Sequence, residues 1–402
     1  MTIYLPFEIL AAIFEKVDNV RDIWHLRTAN RAFCAAATPI AFRNLSVITT
    51  KRSAQNLGRL FDVPDIADHV RQVTFHDTDP DRRGIAIFPE GLRWQLVKSD
   101  ITSAVRKLAS SFSRVHQLPR LETINLTFYP RYGNRRHTNQ QDRSSLTLQS
   151  SILRALSSSF NVRVPNLTTL SLHNLRILDL SPLESPPFQT VLTTLRHFEL
   201  SPICDPPGQF AVDDSWAHFW GTLCSRMLAP MQHSLTELTL HNDADVNALS
   251  GVSFAALCFP SLCVLSLKML VFEPSEGAQN FILRHATTLV RLELLKCKLP
   301  TDPIIFFIPY PSLFLSLRVD TWECIWDCFA AKLTALLSLR VDESHDEWGS
   351  EFRYGLQDIS ILANRDPYAF ARREMADAAA LRRLHMTVAA RSDEVHGAEG
   401  CT

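Results

Sequence analysis

The chain lacks most of the features that announce a chemistry. Nine cysteines are scattered through 402 residues with no Cys-x-x-Cys pair, too sparse for a disulfide framework at this length. Cys324 and Cys328 stand one helical turn apart, but no second pair with histidines follows at zinc spacing. The pattern predicts buried, reduced thiols in an intracellular protein and no metal site. A glycine-rich phosphate loop, Gly-x-Ser-x-Gly and His-Glu-x-x-His are all missing, which removes the commonest sequence signals for nucleotide binding, serine hydrolysis and zinc proteolysis. Charge of one sign is missing as well. With 41 basic against 42 acidic residues the net charge is −1, so neither nucleic acid nor an anionic membrane is demanded as a partner. The greasiest run, Ile304 to Leu317, spans 14 residues and holds Pro309 and Pro311, too short and too broken for a spanning helix. The apolar N-terminus carries Glu8 and Glu15 without a basic lead, unlike a signal peptide. These absences give the expectation of a cytoplasmic or nuclear protein.

What is present is an ordinary globular composition, 46% hydrophobic and 21% charged, at a length that suggests several domains or one elongated one. The stretch LPFEILAAIF runs from Leu5 to Phe14. A proline is tolerated in a first helical turn, where its missing N–H has no partner. Ile9, Leu10, Ile13, Phe14 and Val17 follow at spacings of three and four, which predicts a helix with one apolar face. Asn19 with Asp22 can cap a second helix containing Ile23, Trp24 and Leu26, and Pro39 ends or kinks a third. Three helices in so short a segment make a poor independent core. Part of that apolar surface is therefore expected to remain uncovered and to mark an interface.

These residues carry a resemblance. Leu5-Pro6-x-Glu8-Ile9-Leu10-x-x-Ile13-Phe14, then Asp22-x-x-x-Leu26-Arg27, Asn30-Arg31-x-Phe33 and Pro39-x-x-Phe42-Arg43-x-Leu45 resemble an F-box in order and spacing. Trp24, Asn30 and Phe42 stand where that family commonly has leucine, cysteine or serine, and tyrosine. The resemblance implies a module, residues 1–47, that docks on the Skp-type adaptor of cullin–RING ubiquitin ligases. Carried over by position, it places Leu5, Pro6, Ile9, Leu10, Ile13, Phe14 and Trp24 in or beside the adaptor contact. Phe33 and Leu45 are expected to hold the three helices together. The other reading is a helical cap on the chain's own next domain.

Beyond it a phrase, apolar-x-x-apolar-x-apolar, repeats. It occurs at Val70-Val73-Phe75, Leu121-Ile124-Leu126, Leu167-Leu170-Leu172 and Leu195-Phe198-Leu200. It continues at Leu235-Leu238-Leu240, Leu262-Leu265-Leu267, Leu289-Leu292-Leu294, Leu336-Leu339-Val341 and Leu381-Leu384-Met386, with Leu317 and Val319 suggesting one more. The last two positions are two apart, hence on one face of a strand. Prolines 119, 165 and 260 sit just before strands, where they break no ladder bond. Amphipathic helical stretches separate the phrases. From Leu240 through Leu267, Leu294 and Val319 to Val341 the steps are 27, 27, 25 and 22 residues, within the leucine-rich-repeat range of about 20–29. The fold class read from this is α/β: an N-terminal three-helix F-box, then an irregular leucine-rich-repeat-like α/β solenoid over residues 48–390. Polar inserts are placed near 76–92 and 129–146, and a disordered tail at 391–402. The bland alternative is an ordinary α/β sheet protein.

Two polar clusters could carry chemistry. Arg131, Arg135, Arg136 and Arg143 could read a phosphate, but a solvated insert is the better reading of them. Asp342, Glu343, His345, Asp346 and Glu347 are metal-ligand types, but a single histidine in one loop after a strand reads as an acidic loop. No catalytic residue, metal or cofactor is therefore expected. The functional expectation is a non-catalytic substrate receptor of a Skp–cullin–F-box ubiquitin ligase, with a protein target on the strand face. The alternative is a leucine-rich-repeat scaffold or regulatory binding protein acting without a cullin. Target-facing strand residues would be Asn125, Ser171, Glu199, Thr239, Ser266, Glu293, Arg340 and His385, flanked by His173, His241, Lys268 and Asp342. They lack a single sign and an aromatic platform, so neither nucleic acid nor a specific modification of the target is indicated, and no membrane partner is expected. Leu265, Leu292 and Leu339 are predicted to occupy equivalent inward positions.

Overall fold

A computed structural model describes residues 5–17, 19–77, 102–129, 139–162, 164, 166–177, 181–203, 218–246, 254–270, 272, 277–299, 321–342, 353–354 and 367–399. The chain divides into two compact units, Met1–Leu195 and Arg196–Thr402. Expected features at 78–92, 131–136, Leu317, Val319 and 343–347 lie outside the described residues.

The first unit opens with three helices, α1 (Phe7–Phe14), α2 (Val20–Arg27) and α3 (Arg31–Ala41). Their starts are dictated locally. Asn19 Oδ1 accepts from the Arg21 N–H at 3.0 Å, and Asn30 Oδ1 from the Phe33 N–H at 2.9 Å. Each satisfies an amide that the first turn leaves unpaired. Pro39 lies in the last turn of α3, which ends at Ala41. Leu10, Phe14, Ile23, Ala36, Ala37 and Ala41 form a small closed core, with Val17, Leu26, Phe33, Ile40 and Phe42 packed against it.

Strands follow at once: β1 (Asn44–Ile48), β2 (Gln72–His76), β3 (Thr123–Thr127) and β4 (Thr169–Arg176). Each pairs parallel with the next, in sequence order. The expected boundary at 47/48 therefore falls inside β1. Leu45 is a strand residue opposite Val73, not a member of the helical core. Helices over 102–112 and Asn139–Ser159 occupy the connections, so residues 139–146, expected within an insert, are helical.

The second unit repeats the arrangement with β5 (His197–Ile203), β6 (Glu237–Val246), β7 (Val264–Leu270), β8 (Arg291–Leu295) and, after the two-residue β9 (Lys298–Leu299), β10 (Ser338–Val341). Neighbours are again parallel, in the order β5-β6-β7-β8-β10, while β9 pairs with β11 (Arg353–Tyr354). Among the described residues the chain is thus α/β, with four parallel strands in sequence order in the first unit and five in the second, besides the parallel pair β9–β11.

One contact recurs at the strand starts. A single carbonyl accepts two successive N–H groups from the next strand. Arg43 O takes those of Arg71 and Gln72, Arg71 O those of Glu122 and Thr123, and Glu122 O those of Thr168 and Thr169. In the second unit Arg196, Thr236, Cys263 and Val290 do the same for their successors. The repeating phrase supplies the layer beneath. Val70, Leu121, Leu167, Leu235, Leu262, Leu289 and Leu336 are buried, as are Val73, Ile124, Leu170, Phe198, Leu238, Leu265 and Leu292. Leu339 is only half-buried, because among the described residues β10 pairs on one side alone.

The last phrase departs from expectation. Leu381-Leu384-Met386 lies in a helix, Pro367–Glu399, which also takes up residues 391–399, expected as a disordered tail. Leu384 is 0% and Met386 64% exposed, so the two do not share a face. The buried set Asp377, Ala380, Leu381, Leu384 and Val388 has helical spacing. This helix packs on the helix Trp322–Lys332, and Arg383 pairs with Asp327 at 2.9 Å. No described helix is long and apolar enough to cross a membrane.

Candidate functional site

Two surfaces collect the residues that the sequence singles out. The first is the outer side of α1. The spacing predicted one apolar face, but the helix is apolar on two. Leu10 and Phe14 are 4% and 2% exposed and fill the core, whereas Ile9 and Ile13 are 48% and 47% exposed. Leu5, four residues before Ile9, is exposed with them, and so are Pro6 and Trp24. Of the seven residues expected at an adaptor contact, five are thus accessible and two belong to the interior. Phe7, which that set omits, is also exposed; its signal was its place in the same apolar run.

Trp24 is fixed from within. Its ring meets Phe42 edge to face at 4.9 Å, and the Arg27 guanidinium lies 5.4 Å from the Trp24 ring and 4.9 Å from the Phe42 ring. Arg27 Nε donates to Thr38 Oγ1 at 2.9 Å, and that hydroxyl donates to the Cys34 carbonyl at 2.6 Å. The indole is held in one place while one side stays open, which lowers the entropic cost of binding on it.

The second surface is the row of alternate strand residues. Register aligns Ser46, Thr74, Asn125 and Ser171 across the first unit. In the second unit it aligns Glu199, Thr239, Ser266, Glu293 and Arg340. Seven of the eight expected positions therefore fall in such rows. His385 does not: it lies on the helix Pro367–Glu399, and no hydrogen bond reaches its buried Nε2. Ser171 and Ser266 share their rows but are buried, since a short side chain between longer neighbours is covered by them.

Ser266 shows how. Its Oγ lies 2.9 Å from His241 Nε2 and donates to Glu293 Oε2 at 3.1 Å. With the hydroxyl proton directed to the carboxylate, the histidine nitrogen must donate. That direction is opposite to a serine activated by a histidine base. The chain of bonds clamps three adjacent strands and fixes the imidazole of His241.

At the C-terminal ends of these strands an open cavity of about 460 Å³ is lined by His241, Lys268, Leu295, Lys296, Arg340, Val341 and Asp342. His241, Lys268 and Leu295 are register mates on β6, β7 and β8. Lys296 was not foreseen. It follows the last leucine of its phrase by two residues and has φ 52°, as Met269 and Asn174 have φ 56° at the equivalent positions. The left-handed turn is a property of the repeat, and it carries Lys296 to the rim. Among the described residues no group of three metal-ligating side chains gathers. No protein-family model matches the chain, and neither does any curated protein.

Proposed function

We propose that the protein is the substrate-recognition subunit of a Skp–cullin–F-box ubiquitin ligase. In this reading the three N-terminal helices are an F-box that binds the Skp-type adaptor. The remainder is a leucine-rich-repeat-like solenoid whose strand row receives a protein target. The chemistry belongs to other subunits; this chain contributes proximity, replacing a bimolecular encounter by a positioned one.

The observation that carries the reading is the exposed set Ile9 and Ile13 on α1, with Leu5 just before it, on a helix whose inward residues already fill a core. A helix that needed only to cap its own chain has no use for a second apolar face. The repeat part of the proposal rests on parallel strands in sequence order and on side-chain rows in register within each unit.

Co-expression of the full chain with a Skp-type adaptor and a cullin tests it. A complex that co-elutes, and that dissolves on Ile9→Asp while the chain stays folded, is the expected result. A chain that captures protein targets but never the adaptor would instead support the scaffold reading.

A further inference from the structure

We infer that the cavity at the ends of β6, β7, β8 and β10 is a binding site for a phosphate monoester. Lys268, Lys296 and Arg340 all line it, together with His241. Among the described residues no ion pair or side-chain hydrogen bond engages any of the three cations. Elsewhere Arg71, Arg114, Arg120 and Arg383 each face a carboxylate. Three cations brought to one cavity repel one another, and an anion placed among them relieves the repulsion.

The charge selects the ligand. Asp342 is the carboxylate among the described lining residues. Glu293, opposite Arg340 in register, is engaged by the Ser266 hydroxyl. Three cations against the Asp342 carboxylate in the described lining favour a dianionic phosphate monoester over a single carboxylate. His241 is held by Ser266 at the cavity wall. Leu295 and Val341 add apolar lining, and the volume suits a phosphorylated side chain or a small phosphate ester.

The site rests on the strand-row surface alone and not on the ligase reading; its test needs neither adaptor nor cullin, so the two fail separately. The test is calorimetric titration of the full chain with phenyl phosphate, benzoate and a blocked Ala-phosphoserine-Ala peptide. Saturable one-to-one binding of phenyl phosphate is expected, with benzoate weaker by about tenfold, the scale of one charge-assisted contact. Lys268→Ala, Lys296→Ala and Arg340→Ala should each weaken it by about fivefold to tenfold. Arg291→Ala, at the opposite end of β8, should not. Lys268→Gln and Arg340→Gln, with thermal melts, separate lost binding from lost fold. Tighter binding of the peptide than of phenyl phosphate assigns the ester to a protein; the reverse assigns it to a small molecule. No saturable binding, equal affinity for benzoate, or indifference to all three alanine substitutions overturns the site.

Discussion

The rings of Phe14 and Phe33 meet edge to face, with centroids 5.4 Å apart and planes at 79°. This contact joins α1 to α3 and closes the helical core from inside. Ile13, one residue earlier, points the other way. The two apolar sides of α1 therefore do separate jobs, and substitutions on them should behave differently.

Ile9→Asp places a charge on an exposed side chain and should leave the fold intact while abolishing adaptor binding, since that charge would be buried unpaired in a complex. Leu10→Asp buries the charge in the protein itself and should unfold the helical unit. Adaptor pull-down together with near-ultraviolet circular dichroism separates the cases. If Ile9→Asp also loses the helical fold, α1 is a cap on its own chain.

In the second unit, Leu265→Ala and Leu292→Ala each remove a fully buried leucine and should cost about 2–5 kcal/mol. Leu339→Ala, at a half-buried site on β10, should cost less than either. Ser266→Ala breaks the link from His241 to Glu293 and should cost about 1 kcal/mol. Denaturant midpoints rank the four. A Leu339→Ala effect as large as that of Leu292→Ala would mean that β10 is covered on both sides.

The pH dependence of stability has one component from Asp377. Burial pushes its carboxyl up from 3.8 to about 7; the Glu323 N–H that donates to Oδ1 at 2.7 Å opposes the rise, and the Glu323 carboxylate adds to it. Between those values the folded state keeps a proton that the unfolded chain has lost. The stabilisation is complete below the unfolded value and is lost as pH rises through about 7. Asp377→Asn should flatten that slope in urea melts across the range. An unchanged slope would show that Asp377 ionises normally.

His285 works in the opposite sense. Burial pushes its imidazole below 6.5, opposed by the bond from Nδ1–H to the Phe281 carbonyl and aided by Arg284. Nε2 accepts the Phe259 N–H at 2.9 Å, so protonation would break that bond. Its stabilisation is present above 6.5 and is lost as pH falls. Nitrogen NMR should find Nδ1 protonated and Nε2 bare at neutral pH; a protonated Nε2 would refute the assignment.

Much of the strand framework was legible because its phrase is periodic. Leu-x-x-Leu-x-Leu located β2 to β8 and β10, and in β2 to β8 the buried positions as well. It missed β1, where Phe42, Leu45 and Val47 spell the same phrase, since those residues had been absorbed into the helical module. It misread Leu381-Leu384-Met386, because a spacing of three also fits a helix and the run from Met375 to Leu384 favours one. Side-chain rows were recoverable from strand alternation. Burial within them was not, because it depends on neighbours such as His241 and Glu293 that arrive from other strands. The split of α1 into an inner and an outer apolar side was equally hidden: a sequence lists apolar residues without saying which partner covers each.

The forked carbonyls have a consequence for how such a chain can change length. Thr236, Cys263 and Val290 each receive two amides from the strand that follows, and Ser266 and Glu293, at equivalent places, lie 27 residues apart. Excising residues 263–289 would bring the amides of Val290 and Arg291 to the Thr236 oxygen in the register that Cys263 and Val264 now occupy. Duplicating the segment would extend the ladder by the same rule. Gene events that add or remove whole periods are therefore nearly silent for the backbone, whereas inserting or deleting a single residue inside a strand turns every side chain beyond it to the other face. Growth and loss in this architecture should come in whole rungs.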